Sequence, residues 1–411
     1  MLSLRALFLS LLAMVLLAAP AVAEMNDQAL GQRFRFDPDK LPAPAPEQSV
    51  ANSPNVMAVP NPPPFKLPAG FTVNKFAGPF DYPRWLTVAP NGDVFLALPD
   101  SGEVMLLRDT AGAGKADLAT VFARGFHRPH GLAVHDGYLY VADVDRVWRL
   151  PWHAGDSQPA GKAEPVTARG VFGSAKGHWT RNIVFAPDGT RFFVDVGSAD
   201  NIADDPSPRA TVQSFAEDGR DQRTYASGLR NAVGIAFYPG TNDLYVVVNE
   251  RDGMGEGLVP DFLTRLQEGG FYGWPYAYIG QHAQPDMPQR PDMVARTIVP
   301  DLLIQSHSAP LGLVFYQGAM FPAEYRGDAF VSLHGSWNAE QPTGYKIVRV
   351  PFKNGRPVGY YENFLTGFWS GGESPADVWG RPVGLAVAKD GSLLMADDVS
   401  GIIWRVSYRK P

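Results

Sequence analysis

Basic side chains recur at one kind of position, immediately before the first, almost wholly apolar strand of each of six similar segments. In chain order they are Arg84, Arg128 with His130, His178 with Arg181, Arg230 with Asn231, His307, and Arg381. The chain carries a formal net charge of −6, so the recurrence does not reflect a basic composition. Arginine holds carboxylates through two parallel hydrogen bonds, and several guanidinium groups converging on one site predict a bound polyanion.

An alternative interpretation is that each of these arginines pairs with a neighbouring acid and stabilises the fold. That all five arginines are paired in this way is less expected, because few of the acidic residues near the same face are in apparent contact with them. These acidic residues are Asp143, Glu250, Asp252, Asp397 and Asp398. We expect Arg84 and Arg128 to be structural and the remaining arginines to face a ligand.

A second group of polar residues stands at the ends of the second strands. The oxygen-rich turn at residues 249–252, with Glu250, Arg251 and Asp252, suits a hard cation such as Ca²⁺. Residues 109–117 resemble a calcium loop only in outline, because Ala111 and Ala113 occupy two ligand positions. We interpret residues 109–117 as a hairpin turn.

These residues are positioned by a repeated unit, in which a short apolar strand, a turn rich in Asn, Asp or Gly, and a second strand follow one another. The six copies span residues 85–97, 131–143, 183–195, 234–248, 311–333 and 384–397. Such hairpins predict an all-β fold, a six-bladed β-propeller with four-stranded antiparallel blades. Strands near residues 71–76 and 401–406 are expected to share one blade and close the ring. A two-sheet sandwich is the alternative, and six similar hairpins argue against it.

Two segments lie outside the repeats. Residues 1–23 have Arg5, an apolar run and a small-residue end, which predicts a secretory signal cut after Ala23 and a periplasmic or secreted protein. A membrane anchor is the alternative, but the run is short for spanning a bilayer. Residues 24–68 are rich in proline and are expected to be an extended arm or linker, followed by the propeller domain at 69–411.

Composition restricts the classes of function. The chain has no cysteine, which excludes disulfides, thiolate-bound metals and a haem-binding Cys-x-x-Cys-His. A mildly acidic chain without a lysine-rich run is a poor nucleic-acid binder. We therefore expect a small-molecule ligand.

Several motifs together resemble the soluble quinoprotein sugar dehydrogenases, which bind pyrroloquinoline quinone (PQQ) and Ca²⁺ on a six-bladed propeller. The motifs are His178 before an inner strand, residues 228–231 (Gly-Leu-Arg-Asn) and residues 269–275 (Gly-Gly-Phe-Tyr-Gly-Trp-Pro). Residues 307–312, 334–338 and 344–346 are most similar to the sorbosone dehydrogenase-like branch. The resemblance covers about residues 70 to 408.

The resemblance implies roles for individual residues. His178 would be the general base that takes the hydroxyl proton of a sugar or aldehyde substrate while hydride moves to the quinone. Arg230 would stabilise charge on the quinone oxygen. The residues implied to hold PQQ are Arg181, Arg230, Asn231, His334, Lys346 and Arg381, with either His334 or Lys346 as the equivalent of the family's lysine.

The sequence departs from the family pattern at two points. Arg251 and Asp252 stand where well-known relatives have a Gly-Pro pair that binds the metal through carbonyl groups, so Glu250, Arg251 and Asp252 form the expected metal turn. Ser198 stands where some relatives have an acid, which leaves Asp200 as the candidate carboxylate partner of His178.

Two other classes of function remain open. A metal-dependent lactonase-type hydrolase would need Glu, Asp and Asn around a central ion, whereas Arg and His prevail here. A binding propeller without catalytic activity would hold an anionic ligand without turnover. For a dehydrogenase, the absence of a haem motif implies an external electron acceptor. Trp337, Trp369 and Tyr278 are candidates for stacking on a sugar ring.

Overall fold

A computed structural model describes residues 27–410, and the predicted signal at residues 1–23 lies outside the described residues. The described part is all-β, with one short α-helix, α1 (Pro291–Val294), and 3-10 turns at Pro38–Lys40, Pro46–Gln48 and Ala323–Tyr325. None of its helices has the length and apolar composition needed to cross a membrane.

The strands are numbered in chain order. The first eleven are β1 (Arg33–Phe34), β2 (Asn55–Val56), β3 (Phe71–Ala77), β4 (Trp85–Val88), β5 (Val94–Leu98), β6 (Glu103–Arg108), β7 (Leu118–Arg124), β8 (Gly131–His135), β9 (Tyr138–Ala142), β10 (Val147–Pro151) and β11 (Glu164–Pro165). The next eleven are β12 (Ile183–Phe185), β13 (Arg191–Val196), β14 (Thr211–Ala216), β15 (Arg223–Ser227), β16 (Asn231–Phe237), β17 (Leu244–Asn249), β18 (Asp261–Arg265), β19 (Gly270–Phe271), β20 (Ala277–Tyr278), β21 (His282–Ala283) and β22 (Leu302–Ile304). The last eleven are β23 (Pro310–Phe315), β24 (Ala329–Leu333), β25 (Lys346–Val350), β26 (Phe352–Lys353), β27 (Arg356–Pro357), β28 (Tyr361–Leu365), β29 (Trp369–Gly371), β30 (Asp377–Val378), β31 (Pro382–Val387), β32 (Leu393–Asp397) and β33 (Ile402–Tyr408).

Among the described residues, six sheets contain four or five strands. In the order of hydrogen bonding they are sheet 1 (β4-β5-β6-β7), sheet 2 (β8-β9-β10-β11), sheet 3 (β12-β13-β14-β15-β19), sheet 4 (β16-β17-β18-β22), sheet 5 (β23-β24-β25-β28-β1) and sheet 6 (β31-β32-β33-β3). Each sheet begins with one of the six hairpins expected from the sequence. The long interval at residues 251–267 contains β18, the third strand of sheet 4.

The first strands of the six sheets contact one another in sequence, from β4 through β8, β12, β16, β23 and β31 and back to β4. Glycine makes this close approach possible. A Cβ at Gly234 would lie 2.7 Å from the carbonyl oxygen of Leu311, and one at Gly384 would lie 2.6 Å from that of Arg84. A side chain at either position would therefore force the neighbouring backbones apart, which explains the Gly before the apolar run in several repeats.

The hydrophobic core is divided among the interfaces between adjacent sheets. Phe95 of sheet 1 packs in one cluster with Leu139 of sheet 2, and Leu96 of sheet 1 packs in another with Leu394 of sheet 6. Further clusters join sheets 2 and 3, 3 and 4, 4 and 5, and 5 and 6. Sheet 6 joins the two ends of this region, because β3 pairs antiparallel with β33 from Phe71↔Tyr408 onward.

Candidate functional site

A cavity of about 400 Å³ opens where the first strands begin and the second strands end. Several of the residues predicted to carry chemistry meet there. Its basic lining residues are Arg84, His178, Arg230, His307, His334 and Arg381. Its carboxyl and amide lining residues are Asn231, Asn249, Glu250, Asp252, Asp261 and Asn338, and its aromatic ones are Tyr82, Trp179 and Trp337.

A larger cavity of about 540 Å³ lies among the hairpin turns and carries no comparable set of groups. Two of its carboxylates pair with arginines, Asp93 with Arg108 at 2.5 Å and Asp390 with Arg405, and the third, Asp109, accepts from the backbone N–H groups of Ala113 and Gly114. The smaller cavity is therefore the candidate site.

His178 is held in one tautomer by its partners. Its Nδ1 lies 3.1 Å from the carbonyl oxygen of Ser198 and 2.9 Å from the Ser198 hydroxyl, which itself donates to the carbonyl of Asp200 at 2.7 Å. A carbonyl oxygen only accepts, so Nδ1 carries the proton and Nε2 keeps a lone pair. The partner of His178 is thus Ser198, and Asp200 contributes a carbonyl rather than the expected carboxylate.

Burial lowers the pKa of His178 to about 3, and the nearby Arg230 cation acts in the same direction. The imidazole is consequently neutral at neutral pH. A neutral imidazole with a free Nε2 lone pair on a cavity wall is in the protonation state that a general base requires.

Arg230 is buried and oriented by several acceptors. Its Nη1 donates to the carbonyl oxygens of Asn249 at 3.2 Å and Glu250 at 2.7 Å, and its Nη2 donates to Asn201 Oδ1 at 2.8 Å. Asn201 Oδ1 also accepts from the backbone N–H of Asp252 at 2.9 Å. Asn201 thereby ties Arg230 to the turn beside it, a role that its position in the sequence did not reveal.

Arg381 reaches the cavity from the opposite wall. Its Nε donates to the carbonyl of His334 at 2.9 Å and its Nη2 donates to that of Gly335. Desolvation lowers the pKa of Arg381 from its usual value. Because its partners are neutral carbonyls, its positive charge is not neutralised by direct contact with a carboxylate.

Arg84 and His334 share one buried acid, Asp398. The guanidinium of Arg84 lies 2.5 Å from Asp398, and His334 Nε2 lies 3.0 Å from both carboxylate oxygens. Burial opposes ionisation of Asp398, but His334 and Arg84 hold its pKa well below the usual range. Burial and the Arg381 cation lower the pKa of His334 to about 4. Arg84 accordingly has the structural ion pair expected of it, while Arg128 instead lies 4.0 Å over the ring of Trp179.

The predicted metal turn does not present a set of side-chain ligands. Burial raises the pKa of Glu250 to about 8, which favours its neutral form. Arg251 is directed to Gln284 at 3.0 Å and Asp286 at 2.9 Å. Asp252 accepts from Asn338 at 2.6 Å and lies 3.8 Å from His307. Within residues 27–410, no group of three or more His, Cys, Asp or Glu side chains is arranged to hold a metal ion.

Two of the predicted cofactor ligands lie away from the cavity. Lys346 is fully buried, and its Nζ contacts Asp27 Oδ2 at 2.9 Å, so its charge is already paired. Of the two residues between which the sequence left a choice, His334 lines the cavity and Lys346 does not. Arg181 is also fully buried and donates to the carbonyls of His178 at 3.0 Å and Thr180 at 2.7 Å.

Asp261 lines the cavity but was not predicted from the sequence. It begins β18 and accepts from the backbone N–H groups of Glu250 and Ala309, both at 2.9 Å. Burial raises its pKa to about 7. The sequence signal that could have identified Asp261 is a single acidic residue at the start of an apolar strand.

Among the aromatic residues predicted to stack on a sugar, Trp369 and Tyr278 are buried in the core, whereas Trp337 is 49% exposed and lines the cavity.

Sequence comparison gives relatives over most of the chain. An uncharacterised protein of Borreliella burgdorferi is 29% identical over 357 residues, covering 84% of this chain and 91% of the relative. A pyrroloquinoline quinone-dependent pyranose dehydrogenase of Coprinopsis cinerea is 25% identical over 401 residues, covering 82% of this chain. This chain spans only 53% of that enzyme's length.

The fold is also similar to solved structures. The holo form of the pyranose dehydrogenase PQQ domain from Coprinopsis cinerea superposes with a TM-score of 0.70 at 22% identity, over 86% of this chain and 99% of that domain. The TrAA12-like family matches residues 65–259 and 283–409. The resemblance to PQQ-dependent sugar dehydrogenases expected from the sequence is confirmed, and this chain belongs to the TrAA12-like family.

Proposed function

We propose that this chain is a PQQ-dependent dehydrogenase that oxidises a sugar or a related aldehyde or alcohol by hydride transfer to the quinone. The observation that carries the proposal is the shared cavity of His178, Arg230 and Arg381, in which a neutral base lies with two cations whose hydrogen bonds go to neutral oxygen atoms. Oxidation of a hydroxyl needs both a base for its proton and positive charge near the acceptor. The named activity of the Coprinopsis relative supports the same class of reaction.

The residues of the cavity fit PQQ, a planar quinone with three carboxylates. A volume of about 400 Å³ lies in the range of small-molecule sites. Arg230, Arg381 and His334 would hold the cofactor through charge-assisted and neutral hydrogen bonds. Asn231 Oδ1 is buried without a hydrogen-bond partner among the described residues, which leaves an acceptor for a ligand. Arg181 and Lys346 are not part of this proposal.

Bound PQQ would supply an ortho-quinone that accepts a hydride. The chain's own residues manage proton and charge. His178 Nε2 takes the proton of the substrate hydroxyl, and the Nδ1–H bond to Ser198 keeps the ring oriented as it becomes cationic. Arg230, fixed by the carbonyls of Asn249 and Glu250, places positive charge where negative charge develops.

The proposal extends to the arrangement of the sheets and to the cellular location of the protein. We infer a six-bladed propeller, comprising residues 69–411, in which each of the six sheets is one blade. The successive contacts of the six first strands and the six intersheet clusters support this. We further propose that residues 1–23 direct export to the periplasm or medium, and that an external acceptor takes the electrons.

Ca²⁺ stays a prediction. The side chains of Glu250, Arg251 and Asp252 do not form a ligand set for a divalent cation, because Arg251 is itself a cation directed to Gln284 and Asp286, and Asp252 is bonded by Asn338. A cation at this turn would need backbone carbonyl groups as ligands, and we derive no step of the reaction through it.

The direct test is reconstitution. Apoprotein would be titrated with PQQ, with and without CaCl₂, while binding is followed by absorbance and reduction of an artificial dye is measured with aldoses and aldehydes. Saturable dye reduction that is lost in His178→Ala, with PQQ binding retained, is the expected result. Binding without turnover on any substrate would favour a binding propeller. No binding would overturn the proposal.

A further inference from the structure

Residues 27–57, here called the strap, run from sheet 5 past two loops to β30 and are fixed at both ends. At one end, Asp27 accepts from Thr343 Oγ1 at 2.7 Å and pairs with the buried Lys346. At the other end, β2 pairs in parallel with β30. An extended, proline-rich segment held at its ends and along its length is not acting as a free linker.

The middle of the strap is bonded to the loop at residues 252–257, which forms part of the cavity wall. The N–H of Ala45 donates to the carbonyl of Met254 at 2.9 Å, and the N–H of Gly255 donates to Ser49 Oγ at 3.0 Å. The contact is close, since a Cβ on Gly255 would lie 2.7 Å from the Ala45 carbonyl oxygen. The Gly255 carbonyl in turn accepts from His307 Nε2 at 3.2 Å.

The strap is bonded next to the loop at residues 336–340, which forms the adjacent wall. The N–H of Asn52 donates to the carbonyl of Trp337 at 2.7 Å. The Asn52 side-chain amide donates to the carbonyl of Ala339 at 2.8 Å and to Ser374 Oγ at 3.0 Å. This loop carries Trp337 and Asn338, which both line the cavity.

The two loops are joined to each other inside the cavity by the 2.6 Å hydrogen bond from Asn338 to Asp252. Neither loop belongs to a strand, so neither is positioned by a sheet ladder. The strap supplies hydrogen bonds to the outer side of both loops. A shift of either loop would move the lining residues that it carries.

We propose that the strap is a positioning element of the site, and that Ser49 and Asn52 hold the wall formed by Asp252, His307, Trp337 and Asn338. Ser49 and Asn52 touch no ligand in this proposal and act only through the loops. The positioning itself is independent of the proposed function, while its effect on PQQ and substrate rests on that function. The strap would then contribute to the geometry of the site as well as cover the core.

A matched pair of variants tests the proposal. Asn52→Ala removes the side-chain bonds to the loop at 336–340. Asn55→Ala is the control, because it removes a side-chain hydrogen bond of the same strap that involves neither loop. That bond runs from the Asn55 amide to Asp377 Oδ1 at 2.8 Å. Ser49→Ala removes the acceptor of the Gly255 N–H, and Ser49→Thr retains a hydroxyl at the same position.

The first measurement is hydrogen–deuterium exchange of the apoprotein, which needs no cofactor. In Asn52→Ala we expect about three- to tenfold faster exchange in peptides covering 253–259 and 336–343, as loss of a net hydrogen bond implies, with the sheets unchanged. Asn55→Ala should match the unmodified chain. Ser49→Ala should speed exchange at 253–259, and Ser49→Thr should restore it.

PQQ affinity is the second measurement, and it separates the two proposals. Faster loop exchange with weaker PQQ binding in Asn52→Ala supports positioning of the site. Faster exchange in a chain that binds no PQQ at all leaves positioning of the loops intact and overturns the proposed function. Unchanged exchange in both loops for Asn52→Ala and Ser49→Ala overturns the strap proposal. If Asn52→Ala fails to fold, the Ser49 pair decides the question.

Discussion

The Ser198 hydroxyl lies 2.9 Å from His178 Nδ1 while it donates its own proton to the carbonyl of Asp200. The hydroxyl can therefore only accept from the imidazole. These two directional hydrogen bonds fix the proton on Nδ1 of His178 without a carboxylate. They leave Nε2, the basic nitrogen, on the side of the cavity.

Replacement of His178 by Ala should abolish turnover and leave PQQ affinity within about twofold, because Nε2 acts on the substrate proton. Ser198→Ala keeps the carbonyl acceptor and should lower kcat by only about three- to tenfold, the effect of one neutral hydrogen bond. Steady-state kinetics and PQQ titration measure both effects. Turnover by His178→Ala at the unmodified rate would remove it as the base.

The pH profile follows from the lowered pKa of His178. With a pKa of about 3 the base is already deprotonated at pH 5, so kcat/KM should lack an acid limb near 6.5, the ordinary value for histidine. The profile of kcat/KM from pH 4.5 to 8 on the reconstituted enzyme measures this. An acid limb at 6.5 that depends on His178 would show that the ring is more hydrated than its burial implies.

Arg381→Ala should weaken PQQ binding by roughly 10- to 150-fold, the equivalent of about 1.5–3 kcal/mol for a hydrogen bond to a charged group. Arg381→Lys keeps the positive charge but loses the two parallel N–H donors of the guanidinium group. Its affinity for PQQ should therefore be intermediate. Arg191→Ala, which breaks a salt bridge to Asp221 on sheet 3, is the control for loss of an arginine away from the cavity. Equal affinities for the Arg381 and Arg191 variants would show that Arg381 is structural.

Asp27→Ala should destabilise the fold by about 3–5 kcal/mol, because it leaves the buried Lys346 cation without its partner. Lys346→Met should be milder, because it keeps a similar volume and Asp27 retains its hydrogen bonds from Gln28, Thr343 and Gly344. The double variant Asp27→Ala/Lys346→Met should regain part of the loss. Denaturant unfolding measures the coupling, and PQQ titration of Lys346→Met should show unchanged affinity. Weaker PQQ binding by a stable Lys346→Met would return this lysine to the cofactor site.

Glu250 makes stability depend on pH. Its folded pKa of about 8 lies above its ordinary value, so the folded state binds more protons and stability falls as pH rises from about 4.5 through 8. Glu250→Gln replaces the titrating carboxyl group with an amide that does not titrate. The fall in Tm between pH 5 and 8 should therefore be smaller in this variant. Thermal unfolding across that range is the measurement. An identical slope in both proteins would show that Glu250 does not contribute to the pH dependence.

The hairpins could be predicted because each carries its own signals. The repeat at residues 131–143, for example, has a Gly, an apolar run and an Asp-Gly turn, and β8 and β9 occupy it. Those signals are local in the chain. The predicted pairing of β3 with β33 succeeded for a related reason, since an unpaired edge strand at each end of a repeated array has an obvious partner.

The site could be predicted only in part, because local signals do not say where a side chain's partner lies. Lys346 and Arg381 look alike in sequence as cations next to apolar strands. In the structure the partner of Lys346 is Asp27, 319 residues away, whereas Arg381 is held by neutral carbonyls. Likewise, nothing near Asn201 in the sequence indicates that it bonds both Arg230 and Asp252. Long-range pairing of this kind decides which charges remain available to a ligand.

The register Phe71↔Tyr408 also bears on how the chain folds. Strand β3 is made before all six repeats, and its partner β33 is made after all of them. Sheet 6 cannot be completed during synthesis of the preceding sheets, so its closure carries a large loop entropy and is expected to come late. Until then the edges of β3 and β33 stay open, which makes the interval before closure the period of greatest exposure to aggregation.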